Sequence, residues 1–170
     1  MAFDHTFMKV RQETVELPNG HVIEDYFIWE EGTVALVVPV TKDGKFVLVK
    51  QYKHAAGEVM LEFPAGMANL NEDPKDAAQR ELVEETGYTS PELQSLAELT
   101  NNPTKVDGKV CIYLAENAAK TADQDFDENE NIEVVLMDHQ ELLSAITTGK
   151  IKVTGSVSAA FLALKKLELK

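Results

Sequence analysis

The sequence predicts an α/β domain, and three features of the chain indicate it. Residues 33–40, TVALVVPV, form an almost uninterrupted apolar run, which is typical of a strand with both faces buried. Residues 74–86 carry the start and stop signals of a helix. Strand-like segments come first along the chain and helical segments come later. With 170 residues, 44% of them hydrophobic, the chain is long enough to build its own core, and we expect residues 1–170 to form a single domain.

The N-terminal part of the chain predicts a hairpin followed by two further strands. Residues 7–17 and 21–30 are rich in β-forming residues, and the Asn19-Gly20 pair between them is a preferred choice for a tight turn. The buried apolar run comes next. Residues 45–52, KFVLVKQY, follow that run after a second glycine-containing turn, so we expect them to form the next strand.

The middle of the chain predicts a strand and then a well-delimited helix. Residues 58–66, EVMLEFPAG, are expected to form a strand that ends in a loop. The helix is expected at about residues 74–86. Asp73 can accept hydrogen bonds from the free N–H groups at its start, Pro74 fits its first turn, and Gly87 suits the left-handed residue that ends it.

The C-terminal part of the chain predicts three strands and two helices. The strands are expected at residues 92–100, 109–117 and 132–137. A helix capped by Asp138 and ending near Gly149 follows, and the last helix runs from about Ser156, with alanine and leucine spacing that fits one packed face. The acidic stretch 121–131, TADQDFDENEN, is the most loop-like part of the chain.

Composition excludes several classes of partner. The formal charge of -13 and only 16 basic residues argue against nucleic acid and against an anionic membrane surface, because both attract clusters of Lys and Arg. The single cysteine, Cys111, lies in an apolar run and excludes an internal disulfide. The N-terminus shows no apolar segment of the signal-peptide type, and no run approaches membrane-spanning length. We therefore expect a soluble, cytoplasmic protein.

Three glutamates near the end of the first predicted helix need an explanation. Glu81, Glu84 and Glu85 are related as i, i+3 and i+4, so their carboxylates emerge on one side of the helix. They repel one another, and the negative end of the helix dipole disfavours each of them by ~0.3 to 1 kcal/mol. Two interpretations remain open at this point. One is a solvated acidic face, and the other is a site for a divalent cation, whose charge would reverse the penalty.

The segment GMANLNEDPKDAAQRELVEETGY, residues 66–88, places these glutamates in a longer pattern. Its spacing resembles the signature box of the Nudix hydrolases at each fixed position. These positions are Gly66, Glu72, Arg80, Glu81, Glu84, Glu85 and Gly87. The final position departs from the family pattern, because Tyr88 stands where a branched aliphatic residue is usual, and this change concerns packing rather than chemistry.

The resemblance extends beyond the box to the ADP-ribose and nucleoside-diphosphate-sugar pyrophosphatase branch of the family. The segments LVKQY, EFPAGM and ENIEVV are similar to that branch. Pro103 matches a proline that is characteristic of ADP-ribose pyrophosphatases, although a proline after two asparagines is also an ordinary turn residue. The resemblance implies a Nudix fold, a mixed sheet in an α/β/α sandwich, with an N-terminal β-hairpin extension at residues 1–30. It also implies a homodimer, for which that hairpin is a candidate dimerisation element.

The same resemblance implies a chemistry. Members of this branch use water and Mg²⁺ or Mn²⁺ to cleave the pyrophosphate bond of ADP-ribose or of nucleoside diphosphate sugars, which releases a nucleoside monophosphate and a sugar phosphate. The implied metal ligands are Glu81 and Glu85, assisted by Glu84, together with the backbone carbonyl of Ala65. Glu84 and Glu85 are thereby implied to be catalytic. The cations address the main barrier, because the charge of a pyrophosphate repels an attacking nucleophile.

The general base of this branch is implied to come from the acidic loop before the strand at 132–137. Glu128 and Glu130 are both candidates, with a slight preference for Glu130, and a mobile, solvated loop is the alternative interpretation. Four other residues are candidates for substrate binding. They are Lys53, which stands where relatives often carry Arg, and Met67, Tyr26 and Pro103.

The remaining residues of the box are expected to support the site. Arg80 is expected to pair with a box carboxylate and fix its rotamer, and Gly66 to let the loop backbone approach the helix. Glu72 has a structural role or a ligating role, with the first favoured, and Gly87 ends the helix. Two alternative functions stay open: hydrolysis of nucleoside triphosphates or dinucleoside polyphosphates, and a binding module of the same fold without turnover. The second is disfavoured because the chain keeps all the metal glutamates.

Overall fold

The computed structural model describes residues 1–6, 8–125 and 131–169. Within these ranges the chain forms eleven strands and three helices. The strands are β1 (Phe3–His5), β2 (Met8–Glu16), β3 (Val22–Glu30), β4 (Thr33–Thr41), β5 (Phe46–Lys53), β6 (Glu58–Glu62), β7 (Ala65–Met67), β8 (Tyr88–Thr89), β9 (Leu93–Thr100), β10 (Lys109–Lys120) and β11 (Ile132–Met137). The helices are α1 (Pro74–Thr86), α2 (His139–Thr147) and α3 (Thr154–Lys166). None of these helices combines the length and the apolar character that crossing a membrane requires.

The strands form two sheets. The N-terminal strands β1, β2 and β3 make a small antiparallel sheet, which contains the predicted hairpin. The other eight form a mixed sheet in which β11, β5, β4, β10 and β8 are neighbours, while β6, β7 and β9 pair with β5, β4 and β10. The pair β4–β10 is parallel and the other pairs are antiparallel. The mixed sheet implied by the resemblance is therefore confirmed.

Helices cover both faces of the mixed sheet, and β4 lies at its centre. Alternate residues of β4 face opposite sides, as the period of a strand requires. Ala35 and Val37 pack with Leu82 of α1, whereas Leu36 and Val38 face the core made with α2 and α3. All four β4 residues are buried. Both the α/β/α sandwich and the burial of β4 on two faces are confirmed.

The mixed sheet opens between β4 and β5. The two strands share one residue pair, Val40 with Phe46, next to the turn that joins them. Beyond that pair β4 turns to β7 and β5 turns to β6. The sheet therefore divides into two arms, β4–β7 and β5–β6, and we call this division the fork.

The strand expected at residues 58–66 is present as β6, but a second strand, β7, follows where only a loop was expected. β6 ends at Glu62 and β7 begins at Ala65, and they pair with different neighbours. Pro64 stands between them and has no N–H group to donate to a ladder. Its carbonyl accepts a hydrogen bond from the Val37 N–H at 3.0 Å, which fixes the crossing from one arm of the fork to the other.

Most other predicted boundaries agree with the structure to within a few residues. The helix expected at 74–86 is α1, and the turn glycines Gly20 and Gly44 both have φ of +81°. The last helix begins at Thr154 instead of Ser156, with Val153 as its N-cap residue. The strand β1 was not predicted, because three exposed residues give no periodic signal.

Candidate active site

Helix α1 is held in place by caps at both ends. The Asp73 carboxylate accepts a hydrogen bond from the Lys75 N–H at 2.8 Å, and Pro74 occupies the first turn. At the other end the Gly87 N–H donates to the Val83 carbonyl at 2.8 Å. Gly87 has φ of +73°, and a Cβ there would lie 2.2 Å from the Ala122 carbonyl oxygen, so only glycine fits. These caps fix where the glutamates of the last turns emerge.

Two of these glutamates point into the protein and one points outward. Glu85 is buried with 6% of its surface exposed, and the Glu81 side chain is nearly as buried, whereas the Glu84 side chain is 39% exposed. Glu81 lies against the backbone of Gly66, where a Cβ would come within 2.0 Å of its Oε1 atom. Glycine at position 66 is therefore a steric requirement of this arrangement.

Glu85 contacts Ala65, the first residue of β7. Its Oε2 atom accepts a hydrogen bond from the Ala65 N–H at 3.2 Å. Burial, which is the largest cause, together with the neighbouring charges of Glu81 and Glu62, raises the pKa of Glu85 to about 8 against the opposing effects of the Ala65 N–H and Lys53. Without a bound cation this carboxyl therefore retains its proton near neutral pH. A cation at the same place would favour the charged form.

Arg80 connects the acidic residues of the segment. It forms a two-bond contact with the Glu72 carboxylate, from Nε at 3.0 Å and from Nη2 at 3.2 Å. Its Nη1 atom donates to Glu81 at 2.6 Å and to Glu84 at 2.9 Å, and Nη2 also donates to the Met67 carbonyl at 3.0 Å. These contacts hold the pKa of Arg80 above its usual value and fix the rotamers of the acids.

Glu72 joins the loop before α1 to this arginine. Besides Arg80, its carboxylate accepts a hydrogen bond from the Asn69 N–H at 2.7 Å. The Arg80 guanidinium, with this backbone N–H, lowers the pKa of Glu72 to about 2. All its described contacts are with the loop and with Arg80, which supports the structural role over the ligating role.

An ion pair between a partly exposed lysine and a buried glutamate lies on the opposite arm of the fork. The Lys53 Nζ atom is 2.8 Å from Glu62 Oε1 and also donates to the Gln51 side chain. Glu62 is buried, and its negative charge contributes to the raised pKa of Glu85. Sequence analysis missed Glu62 as a site residue. The signal was present, because a glutamate inside the apolar stretch VMLEF predicts a buried charge that needs a partner.

Two candidate substrate residues lie at a different place, where Tyr26 of β3 meets the loop 101–107. The Tyr26 hydroxyl donates to the Thr104 carbonyl at 2.5 Å, and the Lys105 Nζ atom lies 5.1 Å from the centre of the Tyr26 ring. Pro103 belongs to the same loop, which is joined to β3 by a hydrogen bond from the Trp29 N–H to the Lys105 carbonyl at 2.7 Å. The loop thus anchors the N-terminal sheet to the main body.

The remaining candidates divide between the cluster and the part of the chain that is not described. Met67 is exposed and follows Gly66, close to Gly32. Glu128 and Glu130 lie outside the described residues. The described neighbour Gln124 bridges two elements of the site, because its Nε2 atom donates to the Glu85 carbonyl at 2.6 Å and to the Ile132 carbonyl at 3.1 Å. Strand β11 therefore begins next to the end of α1.

The donors of this cluster fit a hard divalent cation. The carboxylates of α1 offer oxygen atoms, which Mg²⁺ and Mn²⁺ prefer. Glu85 is buried, and the charge of the largely buried Glu81 helps to raise its pKa, so a cation would stabilise the pair. Among residues 1–6, 8–125 and 131–169, no three acidic, histidine or cysteine side chains already converge on one point, since Arg80 binds Glu81 and Glu84.

Comparison with known proteins yields two family matches. A model described as "NUDIX domain" matches residues 30–155. A model described as "Nucleoside diphosphate sugar hydrolase N-terminal domain" matches residues 1–29, which is the small N-terminal sheet. The two matches meet at the boundary between the two sheets.

Individual proteins resemble the chain over most of its length. The ADP-ribose pyrophosphatase of Bacillus subtilis (strain 168) is 34% identical over 140 residues, which cover 82% of this chain and 75% of that protein. The methanol dehydrogenase activator of Bacillus methanolicus is 31% identical over 158 residues, covering 92% and 85%. A solved structure titled "Crystal structure of ADP compounds hydrolase" superposes with a TM-score of 0.85 at 23% identity, covering 98% of this chain and 89% of that one. That likeness shows a shared fold.

Proposed function

Since the chain belongs to the Nudix family of hydrolases, which act on phosphoric anhydride bonds, we propose that it cleaves the pyrophosphate bond of ADP-ribose or of nucleoside diphosphate sugars. The products are a nucleoside monophosphate and a sugar phosphate. One observation carries the proposal: Glu81 and Glu85 lie buried against the Ala65–Gly66 backbone, in a chain whose N-terminal residues match the nucleoside diphosphate sugar hydrolase module. The relative from Bacillus subtilis, named ADP-ribose pyrophosphatase, supports the same substrate class.

Nudix hydrolases generally depend on divalent metal ions, and we propose that this one uses Mg²⁺ or Mn²⁺. Glu81 and Glu85 would hold the ion, with Glu84 assisting and the Ala65 carbonyl as a backbone ligand. A bound cation supplies charge that offsets the diphosphate and lowers the pKa of the attacking water. The raised pKa of Glu85 supports this assignment, because a buried carboxyl that ionises only at a cost is stabilised by a nearby positive ion.

The protein's own side chains then position the substrate and move the proton. We propose that Lys53, on the other arm of the fork, contacts the diphosphate, since its ammonium already lies near the carboxylates. Glu130 or Glu128 accepts the proton of the attacking water. Tyr26, Met67 and Pro103 would contact the nucleoside side of the substrate, while Arg80, Glu72, Gly66 and Gly87 keep the box in shape. A lysine is a point charge where an arginine would form two bonds, so phosphate binding here is less directional.

We also propose that residues 1–170 act as one domain whose N-terminal sheet joins two copies in a homodimer. Phe3, Met8, Phe27 and Trp29 of this sheet are exposed apolar side chains, which are costly to leave in water. Light scattering at micromolar concentration tests the proposal. A monomeric mass would overturn it.

The function is tested by a substrate panel with Mg²⁺ and with Mn²⁺. We expect turnover of ADP-ribose, GDP-mannose or ADP-glucose, and little turnover of nucleoside triphosphates or dinucleoside polyphosphates. The Glu85→Gln variant is expected to bind metal weakly and to lose most turnover, whereas Glu92→Gln, an exposed glutamate outside the cluster, serves as the control. Wild-type rates in Glu85→Gln would refute the metal assignment. Preference for triphosphates would refute the substrate class.

The general base is tested separately. Glu130→Gln or Glu128→Gln should lower kcat while Mn²⁺ affinity, measured by calorimetry, stays unchanged. A loss of roughly 10²- to 10⁴-fold is expected for a general base. Unchanged kcat in both variants would place the base elsewhere.

A further inference from the structure

A cavity of about 390 Å³ opens beside the glutamate cluster, between β4 and the first turn of α3. We call it the α3 cavity. Its wall combines Val34, Leu36 and Val110 with Glu62, Asn101 and residues 153–156. It also includes Ala65, whose N–H donates to Glu85. The cavity and the candidate metal site therefore share Ala65 and lie next to each other. The volume of the cavity lies in the range of small-molecule sites.

The lining of the α3 cavity joins an apolar wall to separated polar groups. Val34, Leu36 and Val110 supply the apolar part. The buried Glu62 carboxylate, the Asn101 amide and the Thr154 hydroxyl supply the polar part, and within the described residues no side-chain hydrogen bond engages Asn101 or Thr154. In addition, Val153 provides no side-chain cap, so the first N–H groups of α3 lack a side-chain acceptor. The cavity thus offers both donors and acceptors beside a hydrocarbon surface.

This combination matches a sugar better than a nucleobase. A sugar ring presents several hydroxyl groups around a small apolar face, and each hydroxyl both donates and accepts hydrogen bonds. A purine gains affinity chiefly from stacking on aromatic rings. None of the described residues that line the α3 cavity is aromatic. The aromatic side chains Tyr26 and Trp29 belong instead to β3, which is joined to the loop 101–107.

We propose that the α3 cavity binds the sugar that leaves as a sugar phosphate, with Asn101 and Glu62 contacting its hydroxyl groups. The inference rests on the proposed function, and it states in which orientation the substrate lies across the fork. The diphosphate lies at the glutamate cluster, the sugar extends toward α3, and the nucleoside extends toward β3. The shape of the α3 cavity then selects among sugars, whereas it does not select among bases.

Gly155 provides a way to test the space itself. A Cβ at this position would lie 3.3 Å from the Leu36 Cδ1 atom, so a side chain at 155 enters the cavity next to its apolar wall. Gly155→Leu would occupy volume that a hexose needs, and Gly155→Ala would occupy much less. The graded pair separates filling of the cavity from a general effect of losing the glycine.

The experiment measures binding of the two products separately by calorimetry in the presence of Mg²⁺. Asn101→Ala is expected to weaken binding of ribose 5-phosphate or mannose 1-phosphate by roughly 3- to 10-fold, the value of one neutral hydrogen bond, and to leave AMP binding unchanged. Gly155→Leu should weaken sugar phosphate binding by roughly tenfold or more, and Gly155→Ala by less. Asn102→Ala is the matched control, because the Asn102 contacts in the loop come from its backbone carbonyl.

Kinetics with paired substrates give an independent readout. In Gly155→Leu, kcat/KM should fall more for ADP-glucose and GDP-mannose than for ADP-ribose, because the larger sugar is crowded. ADP-glucose and GDP-glucose, which share a sugar, should respond alike in every test variant although their bases differ. The inference is overturned if AMP binding weakens instead, if the changes follow the base, or if Asn102→Ala has the same effect as Asn101→Ala. Wild-type turnover of the panel tests the proposed function by itself, so the two failures are distinguishable.

Discussion

Glu85 makes the stability of the metal-free protein depend on pH in a defined direction. Its pKa is raised from 4.5 to about 8 by burial, so the folded state holds a proton that the unfolded state releases. The contribution of this group to stability is fully present below about pH 4.5 and is lost as the pH rises through about 8. The whole difference amounts to about 5 kcal/mol, of which about 3.5 kcal/mol falls between pH 5 and pH 8.

Glu85→Gln isolates this contribution. Glutamine has nearly the same shape, and its amide oxygen can still accept the hydrogen bond from the Ala65 N–H, but it does not titrate. In EDTA, the free energy of unfolding of the wild type should therefore fall relative to that of the variant by about 3.5 kcal/mol between pH 5 and pH 8. Urea denaturation followed by circular dichroism at several pH values measures both proteins, and pH effects common to the two cancel in the difference.

Added cation supplies the internal control. At pH 8, saturating Mg²⁺ should raise the free energy of unfolding of the wild type more than that of the variant, because the ion stabilises the charged carboxylate of the wild type and has a weaker ligand in the variant. Parallel pH curves for the two metal-free proteins would refute the reasoning. A variant that gains as much stability from Mg²⁺ as the wild type would place the ion away from Glu85.

Three further predictions follow from the geometry. Gly66→Ala should displace the Glu81 carboxylate, because the new Cβ would lie 2.0 Å from Oε1, and calorimetry should show a loss of Mn²⁺ affinity of roughly 10- to 100-fold while circular dichroism stays native. Arg80→Lys removes the two-bond contact with Glu72 and should lower kcat by roughly tenfold or more with little change in KM; wild-type kcat would contradict the positioning role. Gln124→Ala leaves two carbonyl groups without their side-chain donor and should lower the free energy of unfolding by about 1 to 3 kcal/mol in urea titrations, whereas a neutral result would mean that water replaces the amide.

The parts of the fold that local chemistry specifies were predictable. The ends of α1 follow from Asp73, Pro74 and Gly87, and each of these residues acts on the few backbone groups next to it. The central place of β4 follows from its unbroken apolar run, because a strand with both faces buried needs no polar face. These predictions required no knowledge of which segments meet in space.

The parts that depend on contacts between distant segments were not predictable in the same way. The partner of Glu62 is Lys53, and the pairing of β6 with β5 brings the two together. The break at Pro64 was missed because the strand pattern continues across it. Likewise, the contact of Tyr26 with the loop 101–107 joins residues far apart in the chain. The spacing of residues along the sequence does not indicate which distant segments come into contact in the folded chain.

The fork has a consequence for how this scaffold changes its substrate. Strand pairing, and thus the peptide backbone, holds the two arms apart, because β7 and β6 occupy the ladder positions that β4 and β5 would otherwise offer each other. The opening consequently persists whichever side chains line it. Natural variation can exchange those side chains one at a time and alter what the cleft admits, without the loss of stability that overpacking a filled core causes. The strand pairing of the fork therefore lets substrate specificity evolve without a change of the backbone.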